Sequence, residues 1–269
     1  MSATVLYEKD GPVATITLNR PAARNALTPE MLCRLADAFL DFRDDDRLRV
    51  AILTGAGELA FCAGGDLART LPLMTGARPA EDDWDRRVLE EPEVMAASSL
   101  RGFPLDKPVI AAINGACLAA GFEILLGTDI RIAADQASFG LPEVQRALIP
   151  FAGSLARLPR QIAQAHAMEI LLTGRPVSAQ RALQIGLVNQ VLPAAEVMPR
   201  ALELARQIAG NGPLAVQRVK QTVFAASGQP LETGFALEDE SKRIVLASLD
   251  AREGPLAFME KRAPRFIGH

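Results

Sequence analysis

The sequence predicts an α/β fold with parallel strand pairings. Two observations carry that expectation. Short apolar runs at 49–53, 108–113 and 130–133 read as buried strands, and turn residues with small-residue or helical patterns recur between them. Hydrophobic residues make up 49% of the 269, enough to fill the core of one large domain or of a domain with an appendage.

The elements follow in order. Residues 4–8 and 13–18 are rich in β-formers and flank Lys9, Asp10, Gly11 and Pro12, a hairpin signal. Asn19-Arg20-Pro21 stops the second strand. A helix then starts with Thr28 as N-cap, Pro29 at the first helical position and Glu30 near the positive end of the dipole. Leu32, Leu35, Ala36, Phe39 and Leu40 recur at helical spacing and should face the core. The strand at 49–53 ends at Thr54-Gly55, and 56–67 reads as a Gly/Ala-rich loop. The stretch 70–100, with Pro72, Pro79, Pro92 and scattered charges, reads as irregular: a mobile flap with helical pieces. After 108–113, Asn114-Gly115 lead into a small-residue helix start. Residues 155–172 form one or two helices, Ser178 caps another that Gly186 stops, and 187–192 is a short strand. Helices broken at 210–213 and 228–230 complete the chain. A composition shift near residue 195 divides it into a core, 1–194, and a helical C-terminal subdomain, 195–269.

Several function classes recede at once. The formal net charge is -3 with both signs interspersed, and aromatics are only 5%, so neither a basic stripe nor a base-stacking platform points to nucleic acid. Cys33, Cys62 and Cys117 are widely separated, matching neither a metal-ligand spacing nor a disulfide framework. A histidine-based metal site or triad would need His166 or His269, and both read as packing or solvated residues. The N-terminus runs directly into strand-like alternation, and no apolar run reaches the length of a membrane span. A cytoplasmic protein without a membrane partner is expected.

Two segments share one design. In Phe61-Cys62-Ala63-Gly64-Gly65-Asp66 and in the run from Asn114 through Ala119, Ala120 and Gly121, small residues follow a buried strand. Small side chains let a ligand approach the backbone, and free N–H groups at a helix start point outward. Two such donors converging on one point would make an oxyanion hole, where removing one donor typically costs ~10²–10³ in rate. The alternative is that both are tight turns serving strand–helix packing. Glu123 lies inside an apolar run and Glu143 in another apolar neighbourhood. Burial raises a carboxyl pKa, which suits proton transfer near neutrality. The alternative for each is a structural ion pair, with Arg131 and Arg146 as candidate partners. A covalent nucleophile is disfavoured, because Cys62 and Ser154 have no evident histidine partner.

These residues lie in a pattern that resembles the enoyl-CoA hydratase/isomerase (crotonase) family over nearly the whole chain. The match begins at Asn19-Arg20-Pro21 and runs through Arg24, Ala26 and Leu27. It continues through 61–66, 107–115 and Phe139-Gly140-Leu141-Pro142-Glu143, and ends in Glu253-Gly254, Ala257-Phe258 and 260–266. The resemblance implies a spiral of ββα units with a helical C-terminal trimerisation region, assembled as a homotrimer or a dimer of trimers. It implies that the Ala63 and Ala120 N–H groups bind the oxygen of an acyl-CoA thioester, with Gly64, Gly65 and Asp66 lining the CoA-side loop. Glu123 and Glu143 match the two glutamates of the hydratases. Arg24, Ala26 and Leu27 belong to the turn beside the CoA adenine and pantetheine. Phe258 and Lys261 match the region through which a neighbouring subunit completes the CoA pocket.

The implied reaction is addition of water to a 2-enoyl-CoA, or the reverse dehydration, with no metal or redox cofactor and with coenzyme A entering as part of the substrate. An enoyl-CoA isomerase using one glutamate stays open. So do a carnitinyl-CoA dehydratase-like enzyme, which the 141–144 stretch resembles, and a non-catalytic CoA-ester-binding protein. Two departures stand out. Ala119-Ala120 replaces glycine-rich sequence, and Phe151 stands where family hydratases carry a glycine near the catalytic water. Phe151 would crowd the water, cap the acyl pocket or turn outward, and the 70–100 segment is expected to decide much of the acyl selectivity.

Overall fold

In the computed structural model, which describes residues 3–269, the chain alternates between two sheets. The strands are β1 (Val5–Asp10), β2 (Val13–Leu18), β3 (Val50–Gly55), β4 (Ala60–Cys62), β5 (Val109–Ile113), β6 (Ala116–Leu118), β7 (Ile130–Ala134), β8 (Ser138–Gly140), β9 (Val177–Ser178) and β10 (Gln190–Leu192). The larger sheet has the order β1-β2-β3-β5-β7-β10 and the smaller β4-β6-β8-β9. Only β1–β2 and β8–β9 pair antiparallel; the other pairings are parallel. Each long strand β3, β5 and β7 is followed by a short strand in the second sheet and then by helical structure, which is the expected ββα spiral.

The helices are α1 (Pro29–Asp44), α2 (Thr70–Met74), α3 (Asp83–Glu90), α4 (Pro92–Ser99), α5 (Ala120–Leu125), α6 (Ser154–Gln161), α7 (Gln164–Thr173), α8 (Ala179–Gln184), α9 (Ala194–Ala209), α10 (Pro213–Ala226), α11 (Leu231–Ala247) and α12 (Asp250–Met259). Thr28 caps α1 by accepting from the Met31 N–H at 3.3 Å, and Ser178 caps α8 through the Arg181 N–H at 3.2 Å. Successive residues of the larger sheet point to opposite layers, as the period of a strand requires. Leu53, Ala111 and Ala133 join the main core with Leu35 and Phe39 of α1, whereas Ile52, Ile110 and Ile132 face α9. No helix among the described residues is long and apolar enough to cross a membrane.

Four sequence expectations need correction. The 56–67 loop contains β4, and the expected helix start after Gly115 is β6; each is a three-residue strand too short to show a period. The 70–100 segment contains its expected helical pieces, α2, α3 and α4, but is more regular than expected. Asp82 caps α3 by accepting from the Asp85 N–H at 2.9 Å, Pro92 opens α4, and the buried Asp85 carboxylate accepts from Arg78 at 2.7 Å. The boundary at 194/195 cuts α9 from the sheet it covers. Val197, Ala201, Ala205 and Ala209, four apart, are buried against that sheet, so the break comes after α9. Beyond it, α10 and α11 bury no residue within the chain.

Gly115 shows how tightly the two sheets are joined: a Cβ there would lie 2.5 Å from the Leu59 carbonyl carbon and oxygen and 2.7 Å from Ala60 N. Those are backbone atoms at the entry to β4, so they cannot swing aside. Gly115→Ala is expected to destabilise the protein by about 1–3 kcal/mol, measured as a lowered denaturant midpoint with unchanged slope.

Candidate active site

A cavity of about 230 Å³ opens between the 63–71 loop, the end of α4, the start of α5 and the 142–152 segment. Its first wall forms where the turn after β4 meets the strap before α1. Leu27 bridges Gly65 in parallel: its N–H donates to the Gly64 carbonyl at 2.8 Å, and its carbonyl accepts from the Asp66 N–H at 2.8 Å. Asp66 holds the turn from the other side. Its carboxylate accepts from Arg20, Ala68 N–H and Arg69 N–H, each at 3.0 Å. Burial pushes that carboxyl up, but the Arg20 guanidinium and the two N–H groups hold it below the usual range. Asp66 thus shapes the loop, and Arg20 ties it to the strap by donating to the Ala26 carbonyl at 2.7 Å.

The expected donor at Ala63 is engaged elsewhere, since its N–H donates to the Arg24 carbonyl at 3.0 Å. Gly65 takes that place on the cavity. The bridge to Leu27 uses the peptide groups on either side of Gly65, so the Gly65 N–H points away from Leu27 and has no protein acceptor; Gly65 borders the cavity. Ala120 also borders the cavity and opens α5, where its N–H has no intrahelical acceptor. The two segments are in close contact. A Cβ on Gly64, which has φ +105°, would lie 2.7 Å from the Ala119 Cβ and 3.6 Å from Ala120 N. Ala119 itself has φ 50°, a conformation that favours glycine and strains an alanine.

Both glutamates reach this cavity. Glu123 lies in the first turns of α5 and is buried. Its Oε1 accepts from Ala152 N–H at 2.7 Å, Ser154 N–H at 3.2 Å and Ser154 Oγ at 2.9 Å. Burial pushes this carboxyl up, and the three donors oppose the shift by favouring the charged form. Glu143 sits on a 3-10 turn, Pro142–Arg146. Its Oε2 is buried without a partner. Burial pushes its pKa up to about 7, and the Glu123 carboxylate adds to the shift.

No ion pair among the described residues includes either glutamate. Arg131 donates instead to Leu187 O, Thr128 O and Gln161, and Arg146 to Pro142 O. The ion-pair alternative is therefore not realised. Ser154, considered only as a nucleophile, and Ala152 are the functional residues that the sequence did not disclose. The one signal was Gly153-Ser154 at a helix start.

Phe151 stands at the cavity mouth: 49% exposed, it borders the cavity while its carbonyl accepts from Arg101 at 2.8 Å. Leu27 borders the cavity, whereas Arg24 and Ala26 do not. Phe258 and Lys261 are exposed at the end of α12 and do not reach the cavity of their own chain. His166 packs its Nδ1 3.2 Å from Arg181, and the described residues contain no His/Cys/Asp/Glu group suited to a metal ion.

Known proteins share this arrangement of chain. A family profile described as enoyl-CoA hydratase/isomerase matches residues 8–269. The sequence is 41% identical over 261 residues to an enoyl-CoA hydratase of Mycobacterium tuberculosis, covering 97% of this chain and 95% of that protein. It is 42% identical over 276 residues to the carnitinyl-CoA dehydratase of Proteus mirabilis, covering 100% of each. The crystal structure of an enoyl-CoA hydratase from Bacillus anthracis superposes with a TM-score of 0.89 at 38% identity, covering 99% of this chain and 100% of that one.

Glu143 also offers a test through stability. Its pKa is raised from 4.5 unfolded to about 7 folded, so between those values the folded state keeps a proton that the unfolded state releases. The folded state loses stability as pH rises through that window. Glu143→Gln, which has no charge to bury, should therefore raise Tm relative to wild type more at pH 8 than at pH 5. Equal increments at the two pH values would contradict the shift.

Proposed function

The chain belongs to the enoyl-CoA hydratase/isomerase family, and we propose that it adds water to a 2-enoyl-CoA thioester, or removes it in reverse. One observation carries the reading: two carboxyl groups that form no ion pair share a cavity with two backbone N–H groups that have no protein acceptor. An isomerase would need one carboxyl to shuttle a proton; a second, differently held carboxyl supports the activation of water. Relatives named hydratase and dehydratase fit the same chemistry run in either direction.

The thioester carbonyl accepts hydrogen bonds from Gly65 N–H and Ala120 N–H. Negative charge grows on that oxygen as the enolate forms, so donors fixed by β4, β6 and α5 stabilise the transition state more than the ground state. Glu123, whose charged form the Ala152 and Ser154 donors favour, takes a proton from water as the water oxygen bonds to Cβ. Glu143, with its pKa near 7, delivers a proton to Cα. The pair thus begins and ends with one proton between its two members, and a proton exchange with solvent restores the starting arrangement. Phe151 covers the acyl group and limits entry of further water. The strap 24–27 and Gly64 to Asp66 flank the CoA chain. Phe258 and Lys261 complete the nucleotide end on a neighbouring subunit of a homotrimer, which the exposed apolar side chains of α10 and α11, Val219, Val223 and Phe235 among them, support.

Glu123→Gln and Glu143→Gln should each lower kcat on trans-2-enoyl-CoA by about 10²–10⁴-fold while calorimetric affinity for a saturated acyl-CoA is kept. Full turnover by both variants would rule out the two-carboxyl mechanism. In wild type the pair loses its one proton as pH rises, so kcat/KM should fall through an apparent pKa of about 7 in both hydration and dehydration. A flat profile from pH 6 to 9 would contradict that assignment.

A further inference from the structure

Six buried side-chain polar atoms among the described residues have no hydrogen-bond partner, and only two of them belong to residues bordering the cavity: Glu143 Oε2 and Ser98 Oγ. The first is accounted for by the chemistry above; the second is not. Ser98 is fully buried near the C-terminal end of α4. An unpaired buried hydroxyl is a desolvation loss that native proteins seldom carry without a reason. The other hydroxyls of the same wall are paired: Thr70 Oγ1 donates to Leu27 O at 2.6 Å and Ser99 Oγ to Met95 O at 2.5 Å. Ser98, one residue from Ser99 and on the same helix, does not close the corresponding bond to its own backbone. Around it the wall is apolar, built from Met95, Ile124 and Leu71.

We infer that Ser98 is a specificity-determining residue that hydrogen-bonds a neutral oxygen carried by the acyl chain beyond the reacting double bond. The inference rests on the acyl-thioester reading of the cavity. A serine hydroxyl both donates and accepts, so an alcohol or a ketone would satisfy it. A chain ending in a carboxylate or an ammonium would bury a charge that a lone hydroxyl cannot neutralise. The substrate class assigned is therefore a 2-enoyl-CoA with a hydroxyl or carbonyl on its chain, in preference to a plain alkyl enoyl-CoA.

The test compares trans-2-hexenoyl-CoA with its 5-hydroxy and 6-hydroxy counterparts in wild type and in Ser98→Ala. The expected result is that wild type prefers one hydroxylated substrate, and that Ser98→Ala lowers the hydroxylated-to-plain ratio of kcat/KM about tenfold, the worth of one hydrogen bond. Ser98→Cys, similar in size but a weaker donor, should fall between. An unchanged ratio in Ser98→Ala would overturn the inference, because Ser98 would then serve only the fold or hold a water. Calorimetric binding of hexanoyl-CoA and 6-hydroxyhexanoyl-CoA to the same proteins separates the two readings. Absence of turnover with a Ser98-dependent preference in binding would reject the hydratase and keep the Ser98 assignment. Turnover without that preference in rate or binding would do the reverse.

Discussion

Two backbones approach at the centre of this molecule until side chains no longer fit between them. A Cβ on Gly121 would lie 2.6 Å from the Cβ and carbonyl oxygen of Cys62, and one on Gly64 would lie 2.7 Å from the Cβ of Ala119. These two exclusions seat the start of α5 against the turn after β4. The approach in turn follows from the parallel pairing of β4 with β6, which the spiral of two sheets creates. The Gly65 and Ala120 N–H groups can face one cavity because the segments that carry them are pinned at both contacts. Ala119 is held at positive φ immediately before Ala120. That strain is of the kind a fold sustains where surrounding contacts over-determine the geometry.

The same approach sets the electrostatics. Placing α5 against β4 buries Glu123, and no cation pairs with it; what opposes its desolvation is a set of dipoles, Ala152 N–H, Ser154 N–H and Ser154 Oγ. Glu143, on a separate turn, has no such donors on Oε2. Burial pushes both carboxyls towards the acid, but only Glu123 has donors that oppose the shift, so two chemically identical groups in one cavity are held differently. Ion pairs to Arg131 and Arg146 would have stabilised both as carboxylates and abolished the difference. Leaving Glu143 unpaired costs the folded state stability as pH rises through its pKa of about 7.

How much of this was legible in the sequence depended on the range of the interaction concerned. The hairpin at 9–12, the Thr28 cap and the strands β3, β5 and β7 are local patterns and were readable. Glu123 and Glu143 stood out because a carboxylate in an apolar run is conspicuous wherever it ends up. The free N–H lies two residues from the expected one, at Gly65, because the Ala63 N–H donates to the Arg24 carbonyl. Small residues mark where backbone can be approached, but the bridge to Leu27, 38 positions away along the chain, decides which N–H faces inward. Ser154 was invisible as a partner for the same reason: its hydroxyl acts on a residue 31 positions earlier. The extent of the helices in 70–100 was less legible than their presence, because they are short and interrupted by prolines and α3 is also fixed by the Asp82 cap and the Asp85–Arg78 pair.

The position of that segment separates two tasks. The groups assigned to the chemistry come from the turn after β4, from α5 and from the 3-10 turn after β8, all set by sheet pairings and backbone contacts. The wall opposite comes largely from α2 and α4, where Leu71, Met74, Met95 and Ser98 border the cavity. Both helices lie in the excursion between β4 and β5, outside either sheet. The side chains that border the cavity from this excursion are thus carried by a different part of the chain from Gly65, Ala120 and the donors on Glu123. Phe151 lies where the two parts meet: it borders the cavity, and its neighbour Ala152 donates its N–H to the Glu123 carboxylate, so a backbone shift at one reaches the other.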